Sequence, residues 1–249
     1  MANKNKSGIL LGLSLVILGS LILPLIQSCS KTGVNASSGT NARLQIVNLS
    51  PDIQPFNLYA FFIKQGTVVY SYPNASGYFL VNSIDTPLQI RTSTTTNGIN
   101  QINLLTLPGS LKAGVPYTWF VTGIRKDSAL ATILTVDTGS VPANGRGKVR
   151  FVNAAPSAIN MNLSLNDTVA FKNIAYKKVT DFVEVTAGAF NFKVAATNAP
   201  LVVLAPVPNF TVLDGKLYTV YFYGLSNNTD SAKYNANILL NTLPVGTKY

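Results

Sequence analysis

Residues 43–58 read RLQIVNLSPDIQPFNL, and residues 148–163, KVRFVNAAPSAINMNL, align with them without a gap. Both copies pass from an alternating apolar and polar run into an Asn-x-x-Pro turn and then into a second alternating run. Alternation with a period of two is typical of a β-strand that buries one face. The chain therefore contains a strand–turn–strand unit twice, which predicts an internally repeated β domain.

The alignment resumes near the end of each copy, where residues 114–124, GVPYTWFVTGI, match residues 215–225, GKLYTVYFYGL. The shared Gly-x-x-Tyr-Thr places Tyr117 and Tyr218 at the start of a strand. This arrangement resembles the tyrosine corner of immunoglobulin-like folds, in which the Tyr hydroxyl bonds to the backbone a few residues upstream. Its recurrence favours a structural role for both tyrosines.

Short strand-forming runs determine the predicted fold class. They are rich in β-branched and aromatic residues, and turn residues interrupt them about every 8–12 positions, a spacing typical of β-sandwiches. No amphipathic helix pattern follows Cys29. We predict an all-β protein with two tandem immunoglobulin-like β-sandwich domains. The first occupies residues 42–138, the Gly- and Pro-containing residues 139–147 form a linker, and the second occupies residues 148–249.

The N-terminal residues predict export. Lys4 and Lys6 precede an uncharged run at residues 9–26, which is the layout of a secretory signal peptide. This run also reaches the lower limit of length for a helix that spans a bilayer, so a plain transmembrane anchor is the alternative. Pro24 disfavours that alternative, because proline disturbs the interior of a helix.

Cys29, the single cysteine, follows this run. The sequence Ile-Gln-Ser-Cys at residues 26–29 resembles the lipobox of bacterial lipoproteins of the Bacteroidota type. The resemblance implies a signal peptide at residues 1–28, acylation of the Cys29 thiol and a flexible polar tether within residues 29–41. It implies a protein held at the outer membrane by its N-terminal lipid, and it leaves the periplasmic and cell-surface faces both open.

The opening of each repeat carries a further resemblance. The pattern basic–apolar–x–apolar–Val-Asn-x-Ser/Ala-Pro is similar to the start of DUF4397, an exported domain of unknown function that often occurs in tandem on bacterial lipoproteins. Asn48, Asn153 and Asp52 fit that pattern, whereas Ser157 replaces the Asp in the second copy. This replacement argues against the Asp as a shared functional group. The family implies an architecture and brings no established reaction or ligand.

The composition removes most catalytic and metal chemistries. The chain has no His, which excludes His-based general bases, triads and zinc sites. Acylation of Cys29 would remove the only thiol nucleophile. Asp181 and Glu184 are three residues apart on a predicted strand and would point to opposite faces, which is unsuitable for a glycosidase pair. We predict no catalytic residues, no metal and no cofactor, and a hydrolase without His is the least favoured alternative.

The net charge of +10 predicts a basic surface. Small basic clusters occur at residues 146–150 and 177–178, and an anionic surface or polymer could be attracted to them. Ordinary solvated charges are the simpler interpretation. Export and the absence of a nucleic-acid-binding motif argue against a nucleic-acid partner.

Three Asp–Ser/Thr–small triplets place hydroxyl groups at Ser128, Thr168 and Ser231. The triplets resemble the O-glycosylation sequence of Bacteroidota envelope proteins, which makes these residues candidate glycan acceptors. Asp-Ser and Asp-Thr also favour turns without any modification, and that is the alternative interpretation.

Aromatic residues crowd the first repeat, at Tyr59, Phe61, Phe62, Tyr70, Tyr72, Tyr78 and Phe79. Core packing accounts for most of them. Residues 70–78 combine three tyrosines with turn-forming residues, so we predict an exposed ligand contact at Tyr70, Tyr72 and Tyr78.

These observations predict a lipid-anchored, non-catalytic binding or scaffold protein of the cell envelope, with a protein or a glycan as its partner. One alternative is a fimbrial or adhesin-type structural subunit, since the edge of a sandwich can accept a donor strand. The other is a glycan-binding surface lipoprotein.

Overall fold

The computed structural model describes residues 39–93, 101–226 and 228–242, and within these ranges it contains β-strands and no helix. The strands of the first repeat are β1 (Asn41–Asn48), β2 (Phe56–Ala60), β3 (Ile63–Lys64), β4 (Phe79–Asn82), β5 (Leu88–Thr92), β6 (Asn103–Thr106), β7 (Pro116–Thr122) and β8 (Ala131–Val136). Those of the second are β9 (Arg146–Asn153), β10 (Met161–Leu165), β11 (Thr168–Ile174), β12 (Val183–Thr186), β13 (Gly188–Ala196), β14 (Ala199–Val212), β15 (Leu217–Tyr223) and β16 (Asn235–Leu240). The predicted signal peptide and Cys29 lie outside the described residues.

Each repeat is a sandwich of two four-stranded sheets. The inner sheets have the orders β4-β1-β7-β8 and β12-β9-β15-β16, and the outer sheets have the orders β3-β2-β5-β6 and β11-β10-β13-β14. β1 pairs in parallel with β7, and β9 pairs in parallel with β15, so the two repeats share one topology. The predicted all-β fold with two tandem immunoglobulin-like sandwiches is confirmed. β9 begins at Arg146, inside the predicted linker, because Arg146 already pairs with Thr186 of β12.

The outward faces of the two inner sheets pack against each other. Along β7, Tyr117, Trp119 and Val121 lie in the core of the first sandwich, whereas Phe120 points the other way. The Phe120 ring packs on Tyr221 of β15, with ring centroids 5.6 Å apart. Every residue of β7 and β15 is consequently buried, and the fold has four layers of sheet. The junction cluster between the sandwiches consists of Val47, Leu49, Phe120, Ile133, Val152, Ala154, Tyr221, Tyr223 and Leu239.

The repeated Asn of the Val-Asn-x-x-Pro motif ends the first strand of each sandwich and is fully buried. In the second repeat, Asn153 Nδ2 donates to the carbonyl of Ile174 (3.0 Å), and Asn153 Oδ1 accepts from the amide of Ala155 (3.2 Å). The corresponding bonds of Asn48 in the first repeat measure 3.2 and 3.1 Å. The Asn side chain therefore stabilises the turn that follows the strand. It also links the end of the strand to the segment that contains Ile174 in the second repeat and Tyr70 in the first.

The two tyrosines of the Gly-x-x-Tyr-Thr segments make matching bonds to the upstream backbone. The hydroxyl of Tyr117 accepts from the amide of Lys112, and the hydroxyl of Tyr218 accepts from the amide of Leu213, both at 3.1 Å. Each bond holds the loop that precedes a central strand (β7 or β15) against the start of that strand.

We expect Asn153→Ala to lower the free energy of unfolding by about 1–3 kcal/mol, because the partly buried carbonyl of Ile174 and the buried amide of Ala155 both lose their partner. Urea denaturation of the mature protein measures this loss. Asn74→Ala changes an exposed side chain and serves as the control, with an expected change within about 0.5 kcal/mol. An Asn153→Ala protein as stable as the control would show that the motif has no structural role.

Candidate functional site

Tyr70 lies in the core of the first sandwich. Only 6% of its surface is exposed, and its ring stacks on Phe56 with centroids 5.5 Å apart. Tyr70 is therefore not exposed as predicted, and a ligand contact at Tyr70 stays a prediction. An isolated pairing between Tyr70 and Phe56 turns the side chain inward, within a segment whose composition is typical of a loop. Burial raises the pKa of Tyr70 to about 12.

Tyr72 and Tyr78 lie at the junction of the two sandwiches. The Tyr72 ring meets Tyr223 of the second sandwich edge-on, with centroids 6.2 Å apart, and its hydroxyl donates to the carbonyl of Ser231 (3.3 Å). The Tyr78 hydroxyl donates to Asp137 Oδ2 (2.6 Å). Burial raises the pKa of Tyr72 to about 12, and burial together with the Asp137 carboxylate raises the pKa of Tyr78. Both tyrosines thus have partners within the chain, and a ligand contact at either stays a prediction.

Asp137 and Arg150 form a buried ion pair across the junction, with 0% and 5% of their side chains exposed. Asp137 Oδ1 accepts from Arg150 Nη2 and from the hydroxyl of Thr135 (2.8 Å). Asp137 Oδ2 accepts from the hydroxyl of Thr118 (2.5 Å), and Arg150 Nε donates to the hydroxyl of Thr219 (2.8 Å). Because each carboxylate oxygen is already bonded to hydroxyl or guanidinium donors, the pair is suited to holding the sandwiches together rather than to proton transfer.

Each residue of this ion pair has an uncharged counterpart at the equivalent position of the other repeat. The strand register matches Gln45 with Arg150, and the residue after β8, Asp137, with the residue after β16, Asn241. In both copies a threonine of the central strand donates to that last residue at 2.5 Å. The first repeat therefore contributes the acid and the second the base, so that charge complementarity favours the pairing of unlike repeats.

We expect Arg150→Gln to lower the free energy of unfolding by about 3–5 kcal/mol, because the Asp137 carboxylate stays buried without its cation. Asp137→Asn should destabilise for the reciprocal reason. The double variant gives each repeat the neutral residue that the other repeat carries, and it should cost less than the sum of the single changes. Urea denaturation of the four proteins measures the coupling energy, and additive losses would contradict the role of the charge pair.

Asp52 of the repeat motif stabilises the turn that follows β7. Its carboxylate accepts from the amides of Arg125 and Lys126, both at 2.9 Å. Burial acts to raise the pKa of Asp52, but these bonds outweigh it and the pKa lies below its ordinary value. In the second repeat the hydroxyl of Ser157 accepts from the amide of Ser226 (3.2 Å). Ser157 thus fills the same position with one bond, which explains how the motif tolerates the replacement.

The three candidate glycan acceptors, Ser128, Thr168 and Ser231, are all exposed. Ser128 and Ser231 lie in turns, and Thr168 follows the turn that opens β11. Each hydroxyl is accessible, and glycosylation stays a prediction.

The basic cluster at residues 146–150 is partly neutralised. Lys148 Nζ donates to the hydroxyl of Ser140 (2.5 Å) and lies 3.6 Å from Glu184 Oε1, and Arg150 is held by Asp137. The cluster is therefore a poor binding surface for an anionic polymer.

An apolar cleft of about 310 Å³ opens at one edge of the first sandwich, between the segment that follows β3 and the edge strand β4 of the inner sheet. It is lined by Leu58, Gln65, Gly66, Val68, Tyr70, Ser76, Phe79, Leu80 and Val81. Few hydrogen-bonding side chains face it, which suits an apolar occupant.

Comparison with the second repeat explains the cleft. There the return strand β11 runs through Thr168–Ile174 and buries Phe171 in the core. In the first repeat β3 contains only Ile63–Lys64, and Gly66 occupies the place of Phe171, counted from the hairpin pairing. A glycine in place of a phenylalanine leaves the edge of the sandwich unfilled. Alignment of the two repeats beyond residue 58 would have revealed this difference.

In the described ranges, no three His, Cys, Asp or Glu side chains come close enough together to hold a metal ion. No helix in those ranges has the length and apolar character needed to cross a membrane.

The family described as "Domain of unknown function (DUF4397)" matches the chain twice, over residues 42–164 and over the overlapping residues 147–237. Together the two matches extend from β1 into β16. The resemblance noted in the repeat openings is confirmed. No curated protein matches the chain.

Proposed function

We propose that this chain, which belongs to the DUF4397 family, is a non-catalytic binding protein of the cell envelope. In this proposal Cys29 carries the lipid anchor, and the cleft of the first sandwich binds an extended segment of another envelope protein. The observation that carries the proposal is the open apolar cleft beside the edge strand β4.

The edge of β4 supports recognition of a peptide strand. β4 pairs with β1 on one side and is the outermost described strand of its sheet on the other. An edge strand presents unpaired backbone groups that a partner strand can bind, and adjacent pockets select the side chains of that strand. The cleft lies directly beside this edge, so one partner strand could use both.

The size and lining of the cleft favour an apolar side chain over a sugar. A volume of about 310 Å³ lies near the lower end of the range of ligand pockets, roughly 300–1,000 Å³. A glycan would need several hydrogen-bonding partners, whereas Gln65, Ser76 and Tyr70 are the lining residues whose side chains can form hydrogen bonds. One or two large apolar side chains would fill the space and cover the exposed faces of Val68 and Leu80.

The charged groups of the fold support a role without catalysis. Asp137 and Arg150 are bound to each other at the junction, and Asp52 is bound by two backbone amides. These buried or bonded charges therefore serve the structure, and none of them faces the cleft.

We expect Leu80→Glu to reduce partner capture by about tenfold, because a carboxylate at the mouth of an apolar cleft loses hydration when the partner binds. Leu80 is 57% exposed, and its counterpart in the second repeat by strand register is Glu184, so the fold accommodates the change. The measurement is in-cell crosslinking of tagged, lipidated protein, followed by affinity capture and mass spectrometry of the bound envelope protein.

Val141→Glu, at an exposed residue outside the cleft, is the matched control and should capture as much partner as the wild type. Equal capture by Leu80→Glu and the wild type would overturn the assignment of the cleft. A ladder of self-crosslinked chains would favour the fimbrial alternative, and capture of glycan without protein would favour the glycan-binding one.

A further inference from the structure

We infer that the turn formed by Phe61 and Phe62 is a second membrane contact, a tip that inserts into the lipid surface at which the chain is anchored. This inference rests on the proposed lipid anchor at Cys29.

Phe61 and Phe62 join β2 to β3 and have φ angles of 46° and 63°. Two-residue hairpin turns of this left-handed kind favour Asn, Asp and Gly, and a bulky side chain there is strained. The equivalent turn of the second repeat consists of Asn166 and Asp167, with φ angles of 45° and 67°. The first repeat thus holds two phenylalanines in a conformation that the second repeat gives to residues suited to it.

The two phenyl rings contribute little to the core. Phe61 is 61% exposed and Phe62 57%, and the next residue, Ile63, is exposed as well. The Phe62 ring centroid lies 5.7 Å from the guanidinium carbon of Arg91, which supports the ring from the side of the sheet. Strained residues that are retained without a stabilising contact in the core point to a function. Exposed, adjacent large apolar residues mark a surface that contacts a protein or a membrane, and the proposed anchor makes the membrane the nearer of the two.

The tip lies at the end of the sandwich where the chain enters it. The amide of Phe61 donates to the carbonyl of Pro87 (3.2 Å), in the β4–β5 connection. The hydroxyl of Ser83 in the same connection donates to the carbonyl of Thr40 (2.7 Å), just before the first strand. Ile84, also exposed, adds an apolar side chain to this connection. The tip, the β4–β5 connection and the start of β1 therefore lie at the same end of the first sandwich, which we call the pole.

The number of residues between Cys29 and this pole limits how far apart the two can be. Residues 30–38 separate Cys29 from the first described residue, and an extended chain of that length covers at most about 35 Å. If Cys29 is acylated as proposed, this length allows the pole to reach the bilayer.

The charges around the pole are suited to a lipid surface. Lys64 follows the tip, and Lys112 lies in the loop whose Gly114 amide donates to the carbonyl of Asn41 (2.7 Å); both lysines are exposed. Asp85 is the acid of the β4–β5 connection. Cations beside exposed aromatic and aliphatic side chains favour binding at a bilayer interface.

Tryptophan at the tip tests the inference directly. The single native Trp119 is fully buried, so it gives a constant background. We expect the emission of Phe62→Trp, in the lipidated protein reconstituted in vesicles, to shift to the blue and to be quenched by brominated acyl chains. Lys126→Trp places the probe in an exposed turn at the opposite end of β7 and should be unaffected.

Flotation with vesicles and intact-mass detection of acylated Cys29 separate the two proposals. If the protein is acylated and floats but Phe62→Trp is not quenched, the tip inference is wrong and the anchor stands. If Cys29 is not acylated and Phe62→Trp is nevertheless quenched, the anchor is wrong and the tip stands. A blue shift that depends on protein concentration in the absence of vesicles would assign the tip to a second copy of the chain and overturn the inference.

The double variant Phe61→Asn/Phe62→Asp tests the same surface without endangering the fold, because it copies the turn of the second repeat. Its thermal midpoint should equal or exceed that of the wild type, since the new residues favour the left-handed turn. Its transfer from donor to acceptor vesicles should be about tenfold faster, because two apolar side chains no longer enter the interface. Unchanged transfer would contradict the inference.

Discussion

The contact of Phe120 with Tyr221 joins two sheets whose central strands, β7 and β15, are buried on both faces. A single sandwich would expose the outward face of its inner sheet, including Val47 and Phe120 in the first repeat and Val152 and Tyr221 in the second. Burial of apolar surface is the main favourable contribution to folding, so the two sandwiches stabilise each other. Residues Ser37–Tyr249 accordingly form one compact unit rather than two independent domains.

The polar contacts at the edge of this junction select which sandwiches pair. A junction between two first repeats would place Gln45 against Asp137, and one between two second repeats would place Arg150 against Asn241. Only the unlike pairing brings the buried acid to the buried base, and a buried charge without a partner is costly. The charges thus disfavour the pairing of two like repeats, while burial of the apolar cluster stabilises the junction.

The period-two pattern and the repeat were enough to predict the fold, because strand alternation and turn residues are local signals. The junction could not be predicted in the same way. Phe120 and Tyr221 lie in continuous apolar runs, and such runs do not reveal which face meets the partner sandwich. The turn residues around Tyr70 predict a position at the surface, whereas its inward orientation depends on a pairing with Phe56, fourteen residues earlier in the chain. The cleft and the aromatic turn become visible only when Gly66 and its neighbours are compared with the second repeat.

Internal comparison also separates structural from functional positions. The two repeats agree where one bond supports the same backbone, as at Asn48 and Asn153. They differ where the first repeat leaves apolar surface exposed. Gly66 stands where the second repeat has Phe171, and Phe61 stands where it has Asn166. Both differences lie on the β2–β3 hairpin or directly after it, so one segment of the first repeat has both the unfilled edge and the disfavoured turn residues. The equivalent hairpin of the second repeat fills its core with Phe171 and turns at Asn166 and Asp167, so the surfaces that we propose as contacts lie on the first sandwich.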